Sequence, residues 1–415
     1  MTTQTVVNPA ARPSTLLFPG DEQFWFETVR MFGADEYGGG SFGEVMAVSA
    51  RIAAGDYDSW FEAWNAMADR IAAEGDRQFA RSHRISARDS YLRACNYYRS
   101  SEFFLHANAQ DPRIGRAYDR SVACYWAAAA LHDPEIKPIA IPYEGTSLPG
   151  YFHRAGEGVR PLLILHSGFD GSAEELHWGQ ARAAVERGYH VLCFDGPGQF
   201  GPLHNEGLVF RHDWEKVITP VVDFALTLPG IAPSCIALCG ISLGGYLAPR
   251  AAAFEHRIAA VIANDGVYDY GAVHVGRWPE GVRDAFLTEL RAGPAPRIDR
   301  AMEAAMMASP VTRWAISHGM WCFGADTPSE YIRKTLDYSL AGGIAEQIRC
   351  PTLVCDAEDD LFYNGQPQQL YDHLTCSKVL MTFTNAEGAG AHCELGAGRL
   401  ANARMFDWLD ETLGV

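Results

Sequence analysis

The 415-residue chain is short of positive charge, of paired cysteines and of long apolar runs, and each shortage narrows what it can be. Lys and Arg total 34 against 51 Asp and Glu, a net charge of −17. A surface of that sign repels phosphate backbones and anionic lipid, so neither nucleic acid nor a membrane is expected as a partner. No apolar run reaches the roughly 20 residues that span a bilayer. The most apolar helical stretch, Ser121 to Leu131, is too short for that and reads as a buried helix. The start, MTTQTVVNPAARPSTLLFPG, lacks a basic segment followed by an apolar one, so no secretory signal is expected. The ten cysteines contain no C-x-x-C pair and read as buried free thiols in a reducing, cytoplasmic compartment.

What is present is ample core material, 48% hydrophobic residues, in a chain long enough for an enlarged α/β domain with additions. Residues 1 to about 20 read as a loose arm. From Asp21 to about His132 apolar residues recur at helical spacing, as in Trp60, Phe61, Trp64, Met67 and Ile71. After Asp133-Pro134 the texture changes to short apolar strands. Two flank the turn Glu144-Gly145-Thr146. Six more end at His166, Phe194, Cys239, Ala263, Cys355 and Phe383, each followed by polar or glycine-rich residues. Strands alternating with helix-sized segments imply a mostly parallel, doubly wound sheet covered on both faces. Sites in such sheets lie at the carboxyl ends of the strands.

Between Tyr270 and about Ala345 helical patterns run without a clear strand, which reads as an inserted cap. The expected organisation is a helical N-terminal domain (1–135), an α/β core (136–270 and 346–415) and a helical cap (271–345). The cap tryptophans Trp278, Trp314 and Trp321 fit either a flat aromatic pocket or helix core. No internal repeat is visible, and no propeller pattern of the kind some peptidases carry.

The chemistry centres on Gly240-Ile-Ser-Leu-Gly244. A serine hydroxyl becomes a useful nucleophile only where a base can take its proton, and a sharp strand-to-helix turn holds it out for that. The motif alone arises by chance. Here it follows an apolar strand and precedes a helix, which makes Ser242 the expected nucleophile. His392, in Glu387-Gly-Ala-Gly-Ala-His-Cys-Glu394, follows the last strand and has the chain order that Ser-acid-His requires. It is the expected base among 14 histidines; His373, in a helical stretch, is a weaker candidate. Asp360, closing the run Asp356-Ala-Glu-Asp-Asp360, is the expected acid that orients the imidazole. Asp356, Glu358 and Asp359 read as solvated or structural, and Asp265, at the end of the preceding strand, is the alternative acid. The backbone N–H groups of Leu243 and Phe169 are the expected oxyanion donors. Asp195-Gly-Pro-Gly198 lacks the lysine or glycine pattern of a phosphate cradle and reads as a tight turn on the floor of the site.

With these residues placed, the sequence resembles one branch of the α/β-hydrolases. That branch includes the fungal pigment hydrolases that shorten naphthopyrones and the bacterial 2,6-dihydroxypseudooxynicotine hydrolase. The fermentation-respiration switch esterase family is a more distant likeness. The matching runs are Glu144 to Tyr151, Asp195 to Gln199, Gly240 to Tyr246 and Glu387 to Glu394, and Phe200 departs from a usual glycine. The resemblance implies the α/β-hydrolase fold and the triad Ser242, Asp360 and His392. It further implies an N-terminal helical domain that helps close the site, and a homodimer.

The expected activity is hydrolysis of an acyl–carbon or ester-like bond in a small aromatic or polyketide-like molecule. Its alternatives are an acyltransferase or cyclase using the same acyl-enzyme, a carboxylesterase, thioesterase or peptidase, and a non-catalytic binding protein. No metal or organic cofactor is called for by this chemistry.

Overall fold

The computed structural model describes residues 17–276 and 279–415. The expected arm lies outside the described residues up to position 16, as does Trp278. The end of that arm is not loose. Phe18 is buried, its ring 5.6 Å from Phe24 and 6.3 Å from Trp60.

Helices Glu22–Gly33, Phe42–Ser49, Tyr57–Ala80, Arg84–Glu102 and Pro112–Ala129 build the N-terminal region. The longest, Tyr57–Ala80, starts where Asp56 accepts the N–H groups of Asp58 and Ser59. It buries Trp60, Trp64, Ala68, Ile71 and Ala72 along one stripe. Helix Arg84–Glu102 is buried almost all round from Tyr91 onward, because neighbours cover both its sides.

All eight expected strands form: β1 (Lys137–Tyr143), β2 (Thr146–His153), β3 (Arg160–His166), β4 (His190–Phe194), β5 (Ile231–Ile241), β6 (Ala260–Asn264), β7 (Thr352–Ala357) and β8 (Lys378–Phe383). They make one sheet in the order β1-β2-β4-β3-β5-β6-β7-β8. Strands β3 to β8 pair in parallel, while β2 runs antiparallel to both β1 and β4. Every residue of β4 and β6 is buried, which is why these strands read as unbroken apolar runs.

Between β6 and β7 the chain forms helices Tyr270–Val275, Glu280–Arg291, Pro296–Ala308, Pro310–Cys322 and Pro328–Thr335. Trp314 ties this insertion to the N-terminal helices. It stacks on Phe103 at 4.5 Å, and its indole N–H donates to the Phe103 carbonyl at 2.8 Å. Among the described residues no helix is long and apolar enough to cross a membrane.

Candidate active site

The carboxyl ends of β3, β5, β6, β7 and β8 converge on one cavity of about 300 Å³. Ser242 follows β5 directly and holds φ +61° before helix Gly244–Ala252. Such a left-handed conformation costs a non-glycine residue about 1–2 kcal/mol. The turn tolerates it because its surroundings leave no alternative. The Ser242 N–H donates to the Asn264 carbonyl at 2.5 Å, and a Cβ on Gly240 would stand 2.1 Å from the Gly244 carbonyl oxygen. Small residues around the serine are therefore a steric requirement.

Ser242 Oγ lies 2.9 Å from His392 Nε2. On the far side of the ring, His392 Nδ1 lies 3.0 Å from Asp360 Oδ2. Asp360 is held in turn by the N–H groups of Phe362 (2.7 Å) and Tyr363 (3.2 Å), both donating to Oδ1. The sequence-derived serine, histidine and acid thus form one hydrogen-bonded chain. Asp265 joins it, because its Oδ2 is also 3.0 Å from His392 Nδ1.

Burial works against every charge here, and the partners decide who keeps one. Burial raises the Asp360 carboxyl, but the facing imidazole and its hydrogen bonds outweigh that and bring it down to about 2. Burial pushes Asp265 up to about 6, with Asp360 adding to the rise and His392 opposing it. Burial pushes His392 down, but Asp360 and its other neighbours overcome this and hold it well above its ordinary value. Glu394, fully buried beside Asp265, is driven well above the usual carboxylate range by burial and by that neighbour.

Of the two expected oxyanion donors, Phe169 lines the cavity, whereas Leu243 directly follows Ser242 and buries its side chain in the core. Leu243 precedes helix Gly244–Ala252, where N–H groups have no intrahelical acceptor. The Phe169 carbonyl accepts from His318 Nε2 at 2.9 Å. His373 stays outside, half-exposed and 2.9 Å from Glu346. Glu358 and Asp359 tie the acid loop to the loop ahead of His392, through the Asn385 N–H and the Gly390 carbonyl. One expectation is corrected. The turn Asp195–Gly198 does not line the cavity. Its glycines pack against Trp214 and Phe210, and the Gln199 amide that follows donates to the Ser167 carbonyl at 2.5 Å, so the turn props up the loop after β3 from behind. Phe200 likewise faces away, against Tyr118 and His106.

Several cavity residues escaped sequence reasoning. Helix Glu22–Gly33 contributes Phe26, Glu27 and Arg30, and the loop after β7 contributes Phe362 and Tyr363. Arg30 is engaged by Glu175 (2.5 Å), Asp170 (3.0 Å) and Glu27 (3.4 Å). The available signal was the helical spacing of Gln23, Phe26, Glu27 and Arg30, a stripe mixing aromatic and charged residues on a half-buried face. Trp314, Tyr270 and Tyr331 from the insertion also line the cavity, so the aromatic residues there serve as pocket wall and helix core together.

Among the described residues, the donor atoms of Asp265, His392 and Cys393 are the group close enough to share a metal ion, within 4.8 Å of one another. Each is already engaged. Asp265 Oδ2 accepts the Cys393 N–H at 2.8 Å, His392 Nε2 faces Ser242, and Cys393 Sγ lies 3.3 Å from Nε2. That pattern is a hydrogen-bond network built around an imidazole.

Residues 162–401 match the model of the alpha/beta hydrolase family. The chain belongs to this family. It is similar to the hydrolase LUC6 of Fusarium sp, 34% identical over 94% of this chain and 97% of the relative. It is also similar to the 20-hydroxy-prefusarin hydrolase FUS2 of Gibberella moniliformis, 34% identical with the same coverage. The hydrolase acrC of Aspergillus aculeatus is 35% identical over 95% of this chain and 97% of the relative. Among solved structures, 2,6-dihydroxy-pseudo-oxynicotine hydrolase superposes with a TM-score of 0.72, covering 92% of this chain and 95% of that one at 23% identity. This α/β-hydrolase is therefore an enzyme of hydrolytic type, and the structural likeness covers its N-terminal helices as well as its sheet.

Proposed function

We propose that this hydrolase cleaves an acyl–carbon or ester-like bond of a small aromatic or polyketide-like molecule, in secondary metabolism, through an acyl-enzyme on Ser242. The observation that carries the reading is the hydrogen-bonded chain from Ser242 through His392 to Asp360 at the base of an aromatic-walled cavity. The named substrate of the similar FUS2 hydrolase, 20-hydroxy-prefusarin, supports a hydroxylated small molecule.

His392 removes the proton from Ser242 as Oγ attacks the substrate carbonyl. The oxyanion that forms is received by the Leu243 and Phe169 N–H groups. Collapse expels the leaving group, which takes the proton from His392. When the leaving atom is carbon, a phenol or enol on that fragment spreads the developing charge and lowers the barrier. Water, deprotonated by His392, then releases the acid and restores Ser242. Asp360 keeps the imidazole in the tautomer that points its lone pair at Ser242. The helices between β6 and β7 act as a cap, and with helix Glu22–Gly33 they exclude bulk water.

The test is intact-protein mass spectrometry of wild type and Ser242→Ala with activated esters, aryl β-diketones and acyl phenols. An acyl adduct on wild type alone supports the reading, and the compound that acylates identifies the bond. Equal turnover by both proteins overturns it.

A further inference from the structure

The end of β6 is where the parts of the site are fastened together. Asn264 accepts the Ser242 N–H, the Gly266 N–H donates to the Cys355 carbonyl of β7 at 3.1 Å, and the Val267 N–H donates to the Gly245 carbonyl at 3.2 Å. Between Asn264 and Gly266 lies Asp265, wholly buried. A carboxyl with no access to water, placed at the end of a fully buried strand, is costly unless it has strong partners.

Besides Asp360, which it faces, its partners are in the histidine loop. Oδ2 accepts the Cys393 N–H at 2.8 Å and lies 3.0 Å from His392 Nδ1. The loop needs a restraint there, because Cys393 and Glu394 both hold φ +53° without being glycine. Asp360 meets the same Nδ1 at the same 3.0 Å, but two backbone N–H groups also support it. Asp265 Oδ1 has no such donor. Two full negative charges on one imidazole nitrogen repel, so the better-supported Asp360 carries the charge and Asp265 is the carboxyl that more readily holds a proton.

We propose that Asp265 is a positioning residue of the hydrolytic site, holding His392 jointly with Asp360: the ring at Nδ1 and the backbone at the Cys393 N–H. The inference rests on the serine-hydrolase reading above. It differs from a choice between two acids, because both carboxyls act at once and in different ways. The titratable groups facing Asp265 are Asp360 and Cys355 from the β7 side and His392, Cys393 and Glu394 from the histidine loop. His392 is the one group among them that can carry a positive charge, so its proton and that of Asp265 titrate as a coupled pair.

Asp265→Asn and Asp265→Ala separate clamp from charge. Asparagine keeps an acceptor for the Cys393 N–H, whereas alanine removes it. We expect Asp265→Ala to lower kcat about 100-fold with KM changed less than about threefold, the scale of a small misplacement of a catalytic group. Asp265→Asn recovers about tenfold of that loss. It also moves the acid limb of kcat/KM down by about half a pH unit, because above about pH 6 Asp265 is largely ionised and the charge with which it stabilised the imidazolium is gone. Thermal melts of each variant check folding.

Wild-type kinetics and an unmoved limb in both variants overturn the inference. So does a rise in KM at unchanged kcat, which would make Asp265 a substrate contact. Asparagine as damaging as alanine, with Asp360→Asn mild, reverses the assignment and overturns it too. Labelling with a serine-reactive phosphonate keeps the two readings apart. A wild type labelled at Ser242 alongside kinetically silent Asp265 variants sinks only this inference, while a Ser242→Ala protein that turns over normally sinks the serine mechanism.

Discussion

Ser242 Oγ and His392 Nε2 stand 2.9 Å apart although 150 residues of chain separate them. The distance suits proton transfer without any rearrangement of the loops. Replacing Ser242 by Ala removes the nucleophile and leaves only binding and oxyanion donors. Turnover is expected to fall at least about 1,000-fold with the fold intact. Asp360→Asn, which leaves the imidazole free to adopt the wrong tautomer, is expected to cost about 100-fold or more in kcat. Steady-state kinetics on the best ester of the substrate panel checks both.

The state of His392 sets a pH prediction. Its neighbours hold it above the ordinary histidine value, and a general base works only when neutral. Activity is therefore absent at low pH and rises as pH passes through a value above the usual histidine range of about 6.5. A kcat/KM profile from pH 5 to 9 reads this directly. A plateau already reached at pH 6 would show that His392 is not the titrating base.

The strands and the histidine loop could be read from the chain because both leave local marks. Buried parallel strands are unbroken apolar runs, as in Leu162 to Leu165, and the strand-end loops announce themselves with glycine and aspartate. The relation of Asp265 to Asp360 left no such mark. Both are carboxylates closing adjacent strands, and only the packing of β6 against β7 brings their Oδ2 atoms to one nitrogen. The antiparallel pairing of β2 with β4 and the reach of Phe26 and Arg30 into the cavity were hidden for the same reason. Each depends on contacts more than 100 residues away in sequence or on register, which composition and periodicity do not encode.

The buried charges at the mouth of helix Glu22–Gly33 divide into two kinds. Arg30 answers Glu175, Asp170 and Glu27 together, so Arg30→Met leaves the three buried carboxylates to Arg99 alone, 3.3 Å from Glu175 and 3.9 Å from Asp170. A loss of about 3–5 kcal/mol is expected in denaturant melts. Glu27 is the weakest-held of the three, pushed up to about 7 by burial against the pull of Arg30. In the unfolded chain it ionises near 4.3, so between there and about 7 the folded state binds the extra proton. Stability from this group is full below that window and is lost as pH rises through it. Glu27→Gln removes the slope, so the variant gains on wild type between pH 4.5 and 7.5. Parallel melting curves across that range check the sign.

Trp314 is the residue whose loss should separate stability from chemistry. Its ring stacks on Phe103 and His318, its N–H is spent on the Phe103 carbonyl, and one face lines the cavity. Truncation to Ala empties a buried volume and leaves that carbonyl unanswered, at a cost of about 3–5 kcal/mol. Trp314→Phe keeps the stacking but not the N–H, and about 1–3 kcal/mol is expected from the unsatisfied carbonyl. Neither change touches Ser242, His392 or Asp360, so phosphonate labelling of Ser242 should persist in both while KM for an aromatic substrate rises in the Ala variant. If instead KM for aromatic and aliphatic acyl groups rises equally, Trp314 only braces the helices, and recognition of a flat substrate falls to Phe26, Phe362 and the other rings of the wall.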